Sequence, residues 1–425
     1  MISSLTRRRW LQALLASAGL RQWLENCPRR LYADDQPREK LPIAGVVTIY
    51  HQNSHADVIV GKILEGWAHD GGVGPDLKLV SLYVDQIGDN DLSIPLATKH
   101  GFVMAKSIQE ALTLGTDSLA VAGVLSIGEH GNYPTVPETQ QVMYPRRRFF
   151  DEIVATFRKC NKIVPVFNDK HLSYAWTDAK HMFDTARDLD MPIMAGSSIP
   201  VGWRSPSETI PMGSKITEAI ALGYGPLEHY GFHALEGMQC LMERREGGET
   251  GVKSVQSVTG DGIWQAEKDG CWSKPLFDAV VEHSPTPNAG STPRPQTMAQ
   301  DAVFYLIEYR DGAKATIAMG TGFSHEFSCA VSTRDSVKPF AVTYLLQDGS
   351  PFGHFEHLLR AVERMLHTGK PAWPLERTLL TTGILDAALH SLADKNRRLE
   401  TPQLAVAYEP VDWPFARGTL PPPRS

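Results

Sequence analysis

Much of what would mark an unusual protein is scarce or missing here. The 425 residues include five cysteines, Cys27, Cys160, Cys240, Cys271 and Cys329, an odd number with no C-x-x-C pair. That excludes a disulfide framework, and each thiol is expected to be a small buried side chain. Positive charge is not in excess. With 42 basic against 48 acidic residues the net charge is −6, which argues against a nucleic-acid binder, whose phosphate contacts favour a basic surface. Long apolar runs are missing too. The mild stretch Leu11–Leu20 is about half of what crosses a bilayer, so no transmembrane helix is expected. Apolar residues at 42% and charged residues at 21% are those of an ordinary globular chain, long enough for two or three domains at about 100–200 residues each.

The charge that is present is unevenly spread. Residues 1–40 hold eight Lys or Arg and four acids, a net +4, which leaves −10 on the remainder. Within that front end Thr6-Arg7-Arg8-Arg9-Trp10-Leu11-Gln12 resembles a twin-arginine export signal, with Trp10 and Gln12 in place of the usual Phe and Lys. The resemblance implies an exported, periplasmic protein that folds before export. It is either cleaved near Tyr32-Ala33-Asp34 or anchored through an uncleaved signal. Residues 21–41 read as a polar linker.

From residue 43 to 196 five short apolar runs alternate with amphipathic stretches. The runs are Ile43–Tyr50, Lys78–Val84, Ser118–Ser126, Ile163–Phe167 and Pro192–Ala195. Each is rich in Val, Ile and Leu without strict alternation, as in strands covered on both faces. Val58–His69, Ser107–Leu114, Arg146–Cys160 and Asp178–Leu189 read as the helices between them. This pattern predicts an α/β fold with a Rossmann-like doubly wound parallel sheet over 41–196. Ligands bind such sheets at the carboxyl ends of the strands. Those ends supply His51, Asn53, Ser54, His55 and Asp57, then Asp85, then Glu129, His130 and Tyr133, then Asp169, Lys170 and His171, then Arg204. A nucleotide cofactor would meet Asn53, Ser54, Asp85, Glu129 and His130. A sugar would meet His51, His55, Tyr133, His171 and Arg204.

One expected feature is missing from that rim. A dinucleotide-binding sheet carries G-x-G-x-x-G after its first strand, so that bare backbone meets the pyrophosphate. The turn Thr48–Asp57 has no glycine. Asp85 does stand at the end of the second strand, where an acid grips the adenosine ribose.

Beyond residue 197 the alternation stops. Pro226–Arg244 reads as a helix, and six β-like runs follow, Gly262–Ala266 among them, with Asp269-Gly270 and Asp311-Gly312 as hairpin turns. His283–Thr297 reads as a long loop. A second α+β domain is expected over 197–410, with a mostly antiparallel open sheet, helices on one face, final helices that pack back on the first domain, and a tail over 411–425.

Three segments resemble the Gfo/Idh/MocA family of sugar-acting oxidoreductases over roughly residues 42–410. Val166–His171 stands where that family has Glu-Lys-Pro, and Lys170 matches its proton-transferring lysine, with Asp169 in place of the Glu. His229–Glu236 is similar to the family's Asp-x-Gly-x-His-x-x-Asp helix. There His233 matches the catalytic histidine and Glu236 the final acid, while His229 replaces the first Asp. Pro371–Leu392 resembles the closing segment. The resemblance implies an enzyme with NAD(P), a carbohydrate substrate and a homo-oligomer built on the open sheet, with Lys170, His233 and Asp169 at the chemistry. A second reading takes His229, His233 and Glu236 as ligands of a divalent metal, since H-x-x-x-H puts two imidazoles on one helix face. That would make a nicotinamide-independent lyase, hydratase, epimerase or glycosidase. A third is a non-catalytic sugar-binding protein.

Overall fold

The structure is a computed structural model and describes residues 39–284, 302–320 and 324–422. The twin-arginine-like segment, Cys27 and most of the 283–297 stretch lie outside the described residues.

Six parallel strands form the first sheet: β1 Leu41–Val47, β2 Leu77–Val84, β3 Val103–Ala105, β4 Gly123–Ile127, β5 Val166–Asp169 and β6 Ile193–Gly196. Their order is β3-β2-β1-β4-β5-β6, the doubly wound order whose crevice opens between β1 and β4. The strands are buried on both faces, as their unbroken apolar runs predict. Ile43 and Val47 of β1 enter one core, while Ala44 and Val46 enter the other. The helices that cover the faces are α1 His55–Glu65, α2 Ser93–His100, α3 Ile108–Thr113, α4 Arg146–Cys160 and α5 Trp176–Asp188.

The second sheet has eight strands: β7 Trp203–Ser205, β8 Ile216–Gly223, β9 Val252–Thr259, β10 Val303–Tyr309, β11 Lys314–Met319, β12 Phe327–Thr333, β13 Ser336–Leu345 and β14 Leu399–Glu400. The order is β14-β9-β10-β11-β8-β12-β13-β7, and every pair is antiparallel except β11 with β8. Asp311-Gly312 does turn the β10–β11 hairpin. Helices α6 His229–Met242, α7 Asp261–Lys268, α8 Lys274–His283, α9 Gly353–Thr368 and α10 Leu375–Ala393 complete the chain.

Two local expectations are corrected. Residues 262–266 are helical, within α7, and Asp269-Gly270 closes that helix rather than a hairpin. A five-residue apolar window cannot separate a strand from one turn of helix; here Ile263 and Ala266, three apart, face inward. As a result the second sheet carries helices on both faces, α6 and α10 on one and α7 and α8 on the other.

The described residues from Lys40 onward form one unit, and α10, with the residues just before it, ties the two sheets together. Trp373 Nε1 and Thr378 Oγ1 both donate to the carbonyl of Ala195 in β6, each at 2.9 Å. On the second sheet Ser257 Oγ of β9 donates to the carbonyl of Ala388 at 2.7 Å. Within α6, Glu236 accepts from Thr381 Oγ1 of α10 at 2.7 Å and from the Ser197 N–H just past β6 at 3.3 Å, which ties α6 to the end of the first sheet.

Candidate functional site

Glu129 is the centre of the rim. It follows β4 and is clamped from β1, where Thr48 Oγ1 donates to its carbonyl at 2.5 Å. Its carboxylate receives Arg146 on one oxygen at 2.5 Å and Lys170 Nζ on the other at 2.8 Å. All three side chains are buried; Lys170 is 4% exposed and Arg146 0%. Lys170 owes its place to a left-handed backbone, φ 62°. The turn lets its peptide pair with Gly196 in both directions and swings the side chain back to β4.

Asp169, one residue earlier, points towards α1. Its Oδ2 bonds to Nδ1 of His55 at 2.6 Å. The His55 ring lies 5.3 Å from the ring of His130, and that ring lies 5.9 Å from His51. Three histidines from two loops and one helix start therefore form a row beside Asp169. Burial, followed by the nearby charge of His55, lowers the pKa of His130 to about 4.

The opposite wall comes from α6. Ser197, just past β6, bonds through Oγ to Nδ1 of His233 at 2.6 Å. Burial and then the charge of Lys170 hold His233 well below the usual imidazole range. His229 meets the Tyr144 hydroxyl at 3.4 Å and lies 3.9 Å from Glu129. Glu228 accepts from the Val142 N–H at 2.7 Å through Oε2, while Oε1 lies 3.8 Å from His171 Nε2 and has no hydrogen-bond partner among the described residues. Burial pushes its pKa up to about 7. Burial works on Glu129 in the same direction, but the charges of Lys170 and Arg146 overcome it and hold that carboxyl well below its usual range. Two carboxyls at one site are thus driven apart, the usual condition for an acid and a base to coexist.

The structure brings Lys170, Asp169, His55, His130, Glu129, His229 and His233 to one place. His171 belongs to the same cluster but is buried, with Nε2 accepting from Arg146 at 3.1 Å. Other candidates have partners within the fold. Arg204 lies apart: it donates to the Pro200 carbonyl and stacks over Phe415 at 3.7 Å. Ser54 caps α1, accepting from the Asp57 N–H at 3.3 Å, and Asn53 donates its N–H to the Asp57 carboxylate at 2.8 Å. Asp85 is engaged on both oxygens, by Tyr83 and Arg148 on one and Tyr133 on the other. Tyr133 is thereby turned to Asp85.

The metal set is not assembled either. Glu236 is fully buried and bonded to Thr381 Oγ1 at 2.7 Å and the Ser197 N–H at 3.3 Å. Among the described residues no three His, Cys, Asp or Glu side chains are grouped to hold a metal ion.

No family model matches the chain, and no curated protein matches it. Solved structures do. GenD2 from gentamicin A biosynthesis, in complex with NAD, is similar at 15% identity over 86% of this chain and 97% of that one, with a TM-score of 0.53. The apo scyllo-inositol dehydrogenase from Lactobacillus casei is similar at 10% identity over 86% of this chain and 99% of that one, TM-score 0.51. The chain shares their fold. It is the two-domain fold that the resemblance to the Gfo/Idh/MocA family implies.

A dinucleotide of the kind bound by GenD2 can be tested against the residues of this chain. A doubly wound sheet offers a diphosphate bare backbone and the positive end of the first helix. Here the first turn carries Tyr50 and His51, and the start of α1 is filled by its own Ser54 and Asp57. Asp85 already accepts from three donors, Tyr83, Tyr133 and Arg148. The residues do not fit a dinucleotide held in that way.

Proposed function

We propose that the chain is an enzyme acting on a sugar or cyclitol in the crevice between the strand ends of the first sheet and α6, with Lys170 and His233 as its proton-transfer pair. The observation that carries this reading is the buried Lys170–Glu129–Arg146 network facing the Ser197–His233 pair. Lone buried charges are costly, and a paired cluster in a crevice is where ionisable groups are tuned for chemistry. Glu129, kept ionised by two cations, holds Lys170 at the crevice floor. Ser197 fixes the His233 ring through Nδ1, which leaves Nε2 for substrate.

The fold supports the oxidoreductase type, because a similar solved structure, the scyllo-inositol dehydrogenase, is named for the oxidation of a ring polyol. In that reaction His233 takes the hydroxyl proton, while Lys170, paired as a cation with Glu129, hydrogen-bonds the same hydroxyl oxygen. Oxidation also needs a hydride acceptor. Residues 48–57 offer no glycine loop to hold a dinucleotide as that acceptor. That mismatch favours a second reading in which the same pair moves protons without a redox change, in elimination, hydration, epimerisation or glycoside cleavage.

Natively purified protein, assayed for released nucleotide and incubated with cyclitols and hexoses with and without NAD+ or NADP+, separates the two. Sugar-dependent formation of reduced nicotinamide supports the first, and conversion without nucleotide supports the second. In either case Lys170→Met and His233→Gln each lower turnover by about 10²–10⁴-fold. Undiminished turnover in both variants rules the proton-transfer pair out.

A further inference from the structure

Three arginines outside the crevice are buried: Arg204 is 6% exposed, Arg244 8% and Arg377 4%. They line one small cavity of about 20 Å³, together with Glu243 of α6 and Trp413 and Phe415 of the tail. Two of these cations have carboxylate partners. Arg377 gives Nε–H to Glu243 at 2.8 Å and pairs with the other carboxylate oxygen through Nη2. Arg244 gives Nη1–H to Asp412 at 2.8 Å. Arg204, on β7, has none among the described residues; its Nη2–H goes to the Pro200 carbonyl at 2.6 Å.

Two donors of this cavity's wall are also unused. Arg204 Nε and Trp413 Nε1 are buried and have no hydrogen-bond partner among the described residues. Both nitrogens can only donate. A buried donor without an acceptor is costly, and most so on a cation. The rings of Phe415 and Tyr344 lie against the Arg204 guanidinium at 3.7 and 5.2 Å and attract its charge. They do not satisfy Nε–H, which points along the guanidinium plane.

The charges differ by one. Arg204, Arg244 and Arg377 face Glu243 and Asp412, so one positive charge is left over, on the residue with the unused donor. A monovalent anion balances it and accepts from both nitrogens, whereas a water molecule satisfies the donors and leaves the charge. The volume holds one particle of about the size of a water. A halide ion is of that order; phosphate, sulfate and sugars exceed it.

We infer that this cavity binds one halide ion, held by Nε–H of Arg204 and Nε1–H of Trp413. The ion fastens the tail onto β7 and α6, beside the point where the Ala416 N–H reaches the Val201 carbonyl at 2.9 Å. It also gives Arg204 a role other than the sugar contact that its place past the fifth strand implies.

The full chain, dialysed into sodium gluconate, is melted at constant ionic strength while chloride or bromide replaces gluconate, an anion too large for the cavity. The midpoint is expected to rise to a plateau, by about 3 °C at a hundredfold excess over the dissociation constant. Arg204→Met is expected to remove the rise. Trp413→Phe keeps an aromatic ring, deletes the donor and is expected to reduce the rise, so the test stands even where Arg204→Met does not fold. Crystals grown in bromide are expected to show an anomalous peak in contact with both nitrogens. A midpoint indifferent to halide, a rise undiminished in Trp413→Phe, or a cavity that holds only water in bromide overturns the site.

Discussion

Arg146 sets the state of Glu129. With Lys170 it supplies the second cation that keeps a buried carboxylate charged. Arg146→Met leaves that carboxylate with one partner, and breaking such a network costs about 3 kcal/mol of stability. Urea denaturation is expected to give that loss, larger at pH 8 than at pH 5, because the folded variant regains stability when Glu129 protonates. Glu228 behaves oppositely. Its pKa rises from 4.5 to about 7 on burial, so between those values the folded protein holds a proton that the unfolded chain has released. Stability falls as pH rises through this window. Glu228→Gln keeps the acceptor for Val142 and removes the fall, so its advantage over wild type grows by about 3 kcal/mol from pH 4.5 to above 7. An equal pH dependence in both proteins counts against a buried, protonatable Glu228. Arg146 also shows what a residue-level reading overlooks. Three consecutive arginines look like a solvated helix end, yet Arg146 sits three and four residues before Phe149 and Phe150, on the face that turns inward. The helical period carried the signal that composition hid.

At the scale of elements, α10 is the hinge of the account, since it joins both sheets and fixes α6 over the strand ends. Its closest approach is at Gly383, where an added Cβ collides with Leu404 and comes within 2.7 Å of the Trp176 ring. Gly383→Ala is expected to lower stability by about 1–3 kcal/mol through overpacking, measured by chemical denaturation. An unchanged midpoint contradicts this packing. The same scale shows which parts of the fold are legible. The parallel strands, buried on both faces, print themselves as apolar runs, and α4 Arg146–Cys160 is read with its observed limits. Elements as short as β3 Val103–Ala105, and the apolar turn that became α7, carry too few residues to reveal a period.

In the whole molecule, residues far apart in the chain converge on one crevice: Glu129 after β4, Lys170 after β5, Ser197 after β6 and His233 on α6. The strand-end rule located most of them in the sequence. It could not tell which face the crevice and which, like Ser54, Asp85 and Arg204, are spent on the fold, because that depends on partners distant in sequence. The missing glycines of the first turn were legible too: Tyr50 and His51 stand in that turn, and Ser54 and Asp57 cap the start of α1. The central claim is proton transfer to or from a sugar by Lys170 and His233. Its most direct test is mass spectrometry of sugars and cyclitols incubated in deuterated buffer with wild type, Lys170→Met and His233→Gln. The wild-type product is expected to have lost water, gained water or taken up deuterium, or, when NAD+ or NADP+ is added as hydride acceptor, to have lost two hydrogens, its formation at least about 10²-fold slower in each variant. A product formed equally fast by all three proteins, or no altered sugar at all with the wild type, contradicts it.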